Sequence, residues 1–197
     1  MAKEILGIMG SPRKDGNTEL ILRKVLREFE KRNRKTEIVQ LVNYNIKECT
    51  GCRYCLKYQR CYIKDDMPKI ISKLLKASVV IIASPVYFNN VTALIKAFMD
   101  RTWSIRGKLR GKIGGAIVIG RRYGHELAIA AIHAFMLKHE MIVAHRGVTG
   151  LAFERGEILK DKVALRNAEN LVNRILELLN SQGEINTGSK FKINLDS

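Results

Sequence analysis

The chain has 197 residues, 46% of them hydrophobic, enough for one sizeable core and too few for two comfortable domains. Its formal charge of +16 is spread along "RKVLREFEKRNRK", "RGKLRGK" and later segments, with no zinc finger, RNP-like aromatic motif or basic tail; that suits anionic ligands or an acidic partner better than a dedicated nucleic-acid reader. No basic leader with a long apolar run opens the chain, and the most apolar stretch, "ASVVIIASPVYF", breaks at Ser84-Pro85, well short of the roughly 20 residues that span a bilayer, so a cytoplasmic protein is expected.

The pattern opens with a β-branched strand over residues 4–10 and a helix-period segment over 17–33, followed by a second strand at 36–41. A cysteine-rich insertion at 47–64 comes next and ends at Asp65 and Asp66. These read as an N-cap with Pro68 in the first turn of a helix over 65–76. Strand and helix then alternate at 79–84, 91–105, 113–120, 125–138, 142–148 and 160–180. Five strands alternating with five helices predict a parallel sheet covered on both faces. The expected fold is therefore a flavodoxin-like, doubly wound, five-stranded α/β domain in three α/β/α layers, spanning residues 1–180. The remaining 181–197 lose helical periodicity and read as a tail.

In such sheets ligands lie beyond the carboxyl ends of the strands, where the strand order reverses. The loop after the first strand, "GSPRKDGNT", frees backbone amides, offers Arg13 and leads into a helix N-terminus, a seat for a phosphate monoester. It is neither a Walker A sequence nor G-x-G-x-x-G, and an ordinary turn with Asn17 as cap is the plain alternative. The third loop, "SPVYFNNV", combines the stiff Pro85 with flat Tyr87 and Phe88 and the hydrogen-bonding Asn89 and Asn90. The fourth, "GRRYGHE", has flexible glycines, two arginines and a tyrosine. Any one of them could be a surface turn. Together they describe a phosphate seat beside a planar heteroaromatic pocket, which points to flavin mononucleotide (FMN).

All four cysteines fall within "CTGCRYCLKYQRC", as Cys49-x2-Cys52-x2-Cys55-x5-Cys61. In a reducing compartment clustered thiols favour metal or redox chemistry over structural disulfides. Zinc usually takes two C-x2-C pairs separated by a longer loop, whereas a compact run can wrap one [4Fe–4S] cubane. Cysteines that bind nothing, zinc and disulfides remain the alternatives. Arg53, Lys57 and Arg60 lie within the same segment, as a solvated basic loop or as a contact for an acidic partner.

"GSPRKDGNT", the cysteine segment with "IKDDM", "ASPVYFNNVTALIKAFMDR" and "GRRYGHE" occur in the order that resembles the NADPH-dependent FMN reductase-like superfamily and, more narrowly, the archaeal and bacterial iron-sulfur flavoproteins. The resemblance covers residues 3–148. It implies that Ser11, Arg13, Asn17 and Thr18 hold the FMN phosphate, with Gly16 permitting the turn. It implies that Pro85, Val86, Tyr87, Phe88 and Asn89 lie along the isoalloxazine, and that Gly120, Arg121, Arg122, Tyr123 and Gly124 close its other edge. Cys49, Cys52, Cys55 and Cys61 would ligate the cluster.

One departure is Tyr123-Gly124-His125-Glu126 where relatives often carry Gly-Gly-Gln-Glu; His125 is expected to be a surface residue at a helix start. The implied activity is electron transfer with no catalytic acid or nucleophile: an acidic donor such as ferredoxin, or NAD(P)H, feeds a homodimer or homotetramer. Two rivals are a cluster-free NAD(P)H-dependent FMN or quinone reductase, and a cofactor-free basic nucleic-acid-binding or scaffold protein.

Overall fold

The structure, a computed structural model, describes residues 4–184; the other expected tail residues, 185–197, lie outside it. Strands β1 (Ile5–Met9), β2 (Thr36–Gln40), β3 (Val79–Pro85) and β4 (Ile113–Gly120) are joined by helices α1 (Asn17–Glu30), α3 (Met67–Lys76) and α4 (Ala93–Arg101). A short helix α2 (Tyr54–Tyr58) sits inside the cysteine segment. After β4 come α5 (His125–Lys138), β5 (Ile142–Val143), β6 (Val148–Leu151) and α6 (Lys162–Glu184). The sheet is parallel throughout, in the order β2-β1-β3-β4-β5, with β6 also pairing with β4.

Side chains alternate across a strand, so one strand can feed two cores. In β1, Ile5 and Met9 face α1 and α6, where Leu22, Phe29, Leu171 and Ile175 are buried, while Leu6 and Ile8 face the opposite layer of Ile70, Phe98 and Met136. This is the doubly wound three-layer fold that the alternating pattern predicts. No helix among the described residues is long and apolar enough to cross a membrane.

Three expected elements change. The single strand at 142–148 is two, because the ladder to β4 stops after Ala144, whose N–H bonds the Gly114 carbonyl (2.9 Å), and Gly147 turns at φ +110, a conformation that L side chains rarely adopt. The helix expected from 91 begins at Ala93, because the Thr92 hydroxyl accepts from Ile95 N and donates to the Gly10 carbonyl (2.8 Å), fixing the helix start to the end of β1. The last helix runs to Glu184, so the boundary expected after 180 falls inside α6.

Asp66 is the N-cap residue of α3 and Pro68 lies in its first turn, as expected, but the side-chain bonds differ. Neither Asn17 nor Asp66 makes a side-chain cap on its own helix. Asp65 Oδ1 instead accepts from Met67 N (3.0 Å), and Asp66 Oδ2 accepts from Asn45 N (2.9 Å).

Gly10 is where the first loop touches α4: a Cβ there would lie 2.2 Å from Ile95 Cγ1 and 3.1 Å from Thr92 Oγ1. Gly10→Ala is therefore expected to destabilise the fold by about 1–3 kcal/mol through overpacking. Urea unfolding is expected to show a lower midpoint at unchanged slope.

Candidate functional site

At the carboxyl end of the sheet, where the connections from β1 and β3 diverge, lies a cleft of about 380 Å³. From the first loop it takes Ser11, Arg13, Lys14, Gly16, Asn17 and Thr18; from the third, Pro85, Val86 and Tyr87; from the fourth, Gly120 and Arg121. A wall that the sequence reading missed, Ala152, Phe153 and Arg155, follows β6.

The first loop shapes the anionic end. Gly16 is the N-cap of α1, extended and without a side-chain cap, which leaves the first-turn N–H groups to an outside acceptor. Ser11 and Thr18 are buried polar residues at this edge. Beneath them the buried Glu19 carboxylate accepts from Asp15 N (2.8 Å), Arg23 Nε (2.8 Å) and Gln40 Nε2 (2.9 Å). These contacts hold Asp15 at φ +51, at the bend of the loop. Four cations, Arg13, Lys14, Arg121 and Arg155, line the cleft, a field that favours an anionic ligand.

Asn17 has a role that its position at the helix start did not reveal. Its Nδ2 donates to the Glu154 carbonyl (2.8 Å), and its Oδ1 accepts from Gly156 N (2.9 Å) and Ile158 N (3.4 Å). The Asn17 side chain thus ties the fourth wall to the first loop, leaving its backbone N–H for a ligand. Arg155 reinforces this closure by pairing with the Asp15 carboxylate (2.8 Å). The signal available in "FERGE" was local: Gly156 turns at φ +85, and Glu157 accepts from both Phe153 N and Glu154 N.

The third and fourth loops wall another part of the cleft and are joined through Val86 N to the Ile119 carbonyl (2.8 Å). Tyr87 and Asn90 exchange two backbone hydrogen bonds (2.8 and 3.0 Å), and between them Phe88 and Asn89 adopt φ +47 and +60. Phe88 consequently stands clear of the cleft, fully exposed. Asn89 packs on Gly124 instead, where a Cβ would approach its Cα to 2.5 Å.

Arg122 lies over the exposed Tyr123 ring (5.6 Å), away from the lining, and Arg121 lies over Phe153 (4.6 Å) at the mouth. His125 corrects an expectation: it is buried, with Nε2 3.1 Å from the Gly150 carbonyl. Its helix starts where β4 and β6 lie side by side, so the ring turns inward.

The cysteine segment is a loop pinched at its neck. The Arg101 side chain, at the end of α4, is 1% exposed and faces the Asp65 side chain, 0% exposed. Its guanidinium bonds both carboxylate oxygens of Asp65 and donates to the Lys47 carbonyl (2.7 Å); Asp65 in turn accepts from Lys47 N (3.0 Å). One buried ion pair therefore closes both ends of the loop. Burial alone would raise the Asp65 pKa, but the Arg101 hydrogen bond, the Lys47 and Met67 N–H groups and the Arg101 charge outweigh it and lower that pKa. Burial likewise opposes the Arg101 charge, and Asp65 together with the neighbouring Cys61 sulfur outweighs it.

Within the loop, the Tyr54 ring lies tilted against Tyr58 (4.4 Å) and Tyr62 (5.8 Å). All four cysteines are free; Cys49 and Cys52 are exposed, Cys55 and Cys61 half-buried. Among the described residues no three His, Cys, Asp or Glu side chains converge as a metal site. By donor chemistry four soft thiols on one short loop, with a buried cation beside the fourth, fit an iron-sulfur cubane.

The family model of NADPH-dependent FMN reductase matches residues 4–155, which includes the fourth wall. An iron-sulfur flavoprotein of Methanocaldococcus jannaschii is 37% identical over 187 residues, covering 89% of this chain and 97% of its own length. One of Methanosarcina thermophila is 34% identical over 185 residues, covering 89% and 95%. Among solved structures, RosB with a bound 8-demethyl-8-formylriboflavin-5'-phosphate intermediate superposes with a TM-score of 0.74 at 14% identity, over 100% of this chain and 93% of that one. That likeness shows the fold.

Removing one member of the neck pair leaves a buried charge unpartnered, so Arg101→Met is expected to destabilise the protein by about 3–5 kcal/mol. Asp65 has a folded pKa below its ordinary value of about 3.9. Its stabilisation is thus full above that value and lost as pH falls through the lower folded pKa. Asp65→Asn is expected to flatten the acid limb of stability against pH, measured by denaturant unfolding below about pH 4.

Proposed function

Because the chain belongs to the NADPH-dependent FMN reductase family and, within it, to the iron-sulfur flavoproteins, we propose that it takes single electrons from an acidic donor such as ferredoxin at a [4Fe–4S] cluster and passes them through FMN to an acceptor. It is a flavin-dependent oxidoreductase by family, and the cofactor-free scaffold alternative is set aside for that reason. Bound FMN supplies a ring that holds one or two electrons, and a cluster supplies single-electron exchange.

The observation that carries the flavin assignment is the cleft itself, which brings together an uncapped helix N-terminus, four cations and the aromatic rings of Tyr87 and Phe153. In this reading Ser11, Arg13, Thr18 and the backbone N–H groups of 16–18 hold the phosphate. Lys14 and Arg155 add charge, and the Asn17 side chain keeps the fourth wall closed over it. Pro85, Val86 and Tyr87 flank the ring, with Phe88 and Asn89 at its outer side. Gly120 and Arg121 lie against the other edge, and Arg122 to Gly124 form the rim. Phe153 and Tyr87 exclude water from the mouth.

Cys49, Cys52, Cys55 and Cys61 are proposed to hold the cluster, with Arg101 offsetting part of its negative charge. Arg53, Lys57 and Arg60 are proposed as the docking surface for the acidic donor, and the working unit as an assembly of at least two copies. A second reading, a cluster-free NAD(P)H-dependent FMN or quinone reductase, is favoured by one observation: no three thiols converge among the described residues.

Protein isolated without air is expected to show flavin and iron-sulfur absorbance together, with about four iron and four acid-labile sulfide per chain. Flavin absorbance alone, with rapid NADPH oxidation, would establish the cluster-free reading. Changing Arg53, Lys57 and Arg60 together to glutamate is expected to slow reduction by ferredoxin more than reduction by dithionite. Equal slowing would remove the docking role.

A further inference from the structure

The first turn of α1, which offers its N–H groups to the cleft, also buries a carboxylate, a charge of the wrong sign for an anion seat. This is Glu19, 2% exposed. Its two oxygens have separate partners: Oε2 accepts from Asp15 N (2.8 Å), whereas Oε1 accepts from Arg23 Nε (2.8 Å) and Gln40 Nε2 (2.9 Å), with Arg23 Nη2 at 2.6 Å. One oxygen is thus anchored on α1 and the end of β2, and the other holds the loop.

A glutamate three places after a helix N-cap commonly reaches back to the N–H of the cap residue itself. Here the N-cap is Gly16, and Glu19 reaches one residue further, to Asp15. That shift keeps the helix end open, because the N–H groups of residues 16, 17 and 18 have no acceptor among the described residues.

The bend that presents them is unfavourable by itself. Asp15 sits at φ +51, a region that a non-glycine residue keeps only where its surroundings over-determine it. Two side chains do so. Arg155, 70% exposed, holds the outer side, with Nη2 donating to the Asp15 carboxylate (2.8 Å) and Nε to the Asp15 carbonyl (3.2 Å). Glu19 holds the inner side and is shut off from water.

We infer that Glu19 is a positioning residue for phosphate recognition, on the reading of the cleft as an FMN site: anchored by Arg23 and Gln40, it fixes the loop bend through Asp15. Simple electrostatics points the other way. A carboxylate near a phosphate repels it, so removing the charge would on that ground alone tighten binding. Positioning requires the reverse, because donors that must be re-ordered when the ligand arrives lower its affinity.

Glutamine at this site has the same shape and half the acceptors. Its amide offers one oxygen where three side-chain and backbone groups, all donors, are served by two. Arg23 is the charged donor and keeps the oxygen, so the amide NH2 faces Asp15 N and the bend is released.

Equilibrium dialysis of the full chain, freed of flavin, against FMN and against riboflavin separates an effect on the phosphate from an effect on the ring. Glu19→Gln is expected to weaken FMN binding about tenfold, the loss of one charge-assisted hydrogen bond, and to change riboflavin binding less than twofold. Gln40→Met removes a donor from the anchor at a position outside the cleft lining; FMN binding is expected to weaken about threefold, with riboflavin unaffected. Circular dichroism establishes that each variant is folded. Unchanged or tighter FMN binding by Glu19→Gln would overturn the inference, leaving the carboxylate as part of the field alone. Equal weakening of both flavins would overturn it as well, by assigning Glu19 to the fold. Should Glu19→Gln fail to fold, Gln40→Met decides, and FMN binding equal to that of the wild type overturns the positioning role. A wild-type chain that binds neither flavin would overturn the FMN reading of the cleft, and this inference with it.

Discussion

Parallel pairing is the constraint from which the site follows. A parallel neighbour cannot be reached by a tight turn, so each strand must be followed by a crossover that climbs over one face of the sheet. Here β1 pairs with both β2 and β3, and the connections leaving β1 and β3 depart to opposite faces. The gap that opens between them at the carboxyl edge cannot be filled by either helix layer. The ends of β4 and β6 extend the same edge, which is why four segments distant in the chain line one cleft.

Electrostatics then separates that edge into regions of different use. The cations that line the cleft are exposed and share it with an uncapped helix end, so their field is available to an anion. Arg101 is the opposite case. It is enclosed, bonded to Asp65 and Lys47, and its charge acts on the geometry of a loop. A cation in water contributes little to fold stability, whereas a buried one demands its partner. The same residue type therefore serves ligand recognition in one place and loop closure in the other.

The exposed apolar groups divide along similar lines. Phe88 is held in a left-handed turn with its ring in solvent beside the cleft, a conformation that a bulky residue adopts at a cost. The leucines of α5 lie on a regular, unstrained helix. The first arrangement comes from the geometry of a two-residue hairpin turn, the second from the composition of a whole element.

The sequence by itself determined whatever depends on neighbours along the chain. Periodicity placed β1 to β4 and α5, because alternation and the helical repeat are local consequences of burial on one face or two. The four cysteines were visible as a loop-bound donor set by their spacing, and the first, third and fourth loops followed from where a parallel sheet turns. The tertiary structure alone decided what depends on distant partners. Asn17 reads as a helix cap, yet its side chain bonds a loop some 137 to 141 residues away. Nothing local in "AFMDR" marks Arg101, yet it closes a loop whose ends, Lys47 and Asp65, lie 54 and 36 residues earlier. The wall of Ala152, Phe153 and Arg155 and the inward turn of His125 arise only once β6 lies beside β4. Hydrogen bonds satisfied across such separations leave no periodic trace in the chain, because the partner is chosen by packing in space.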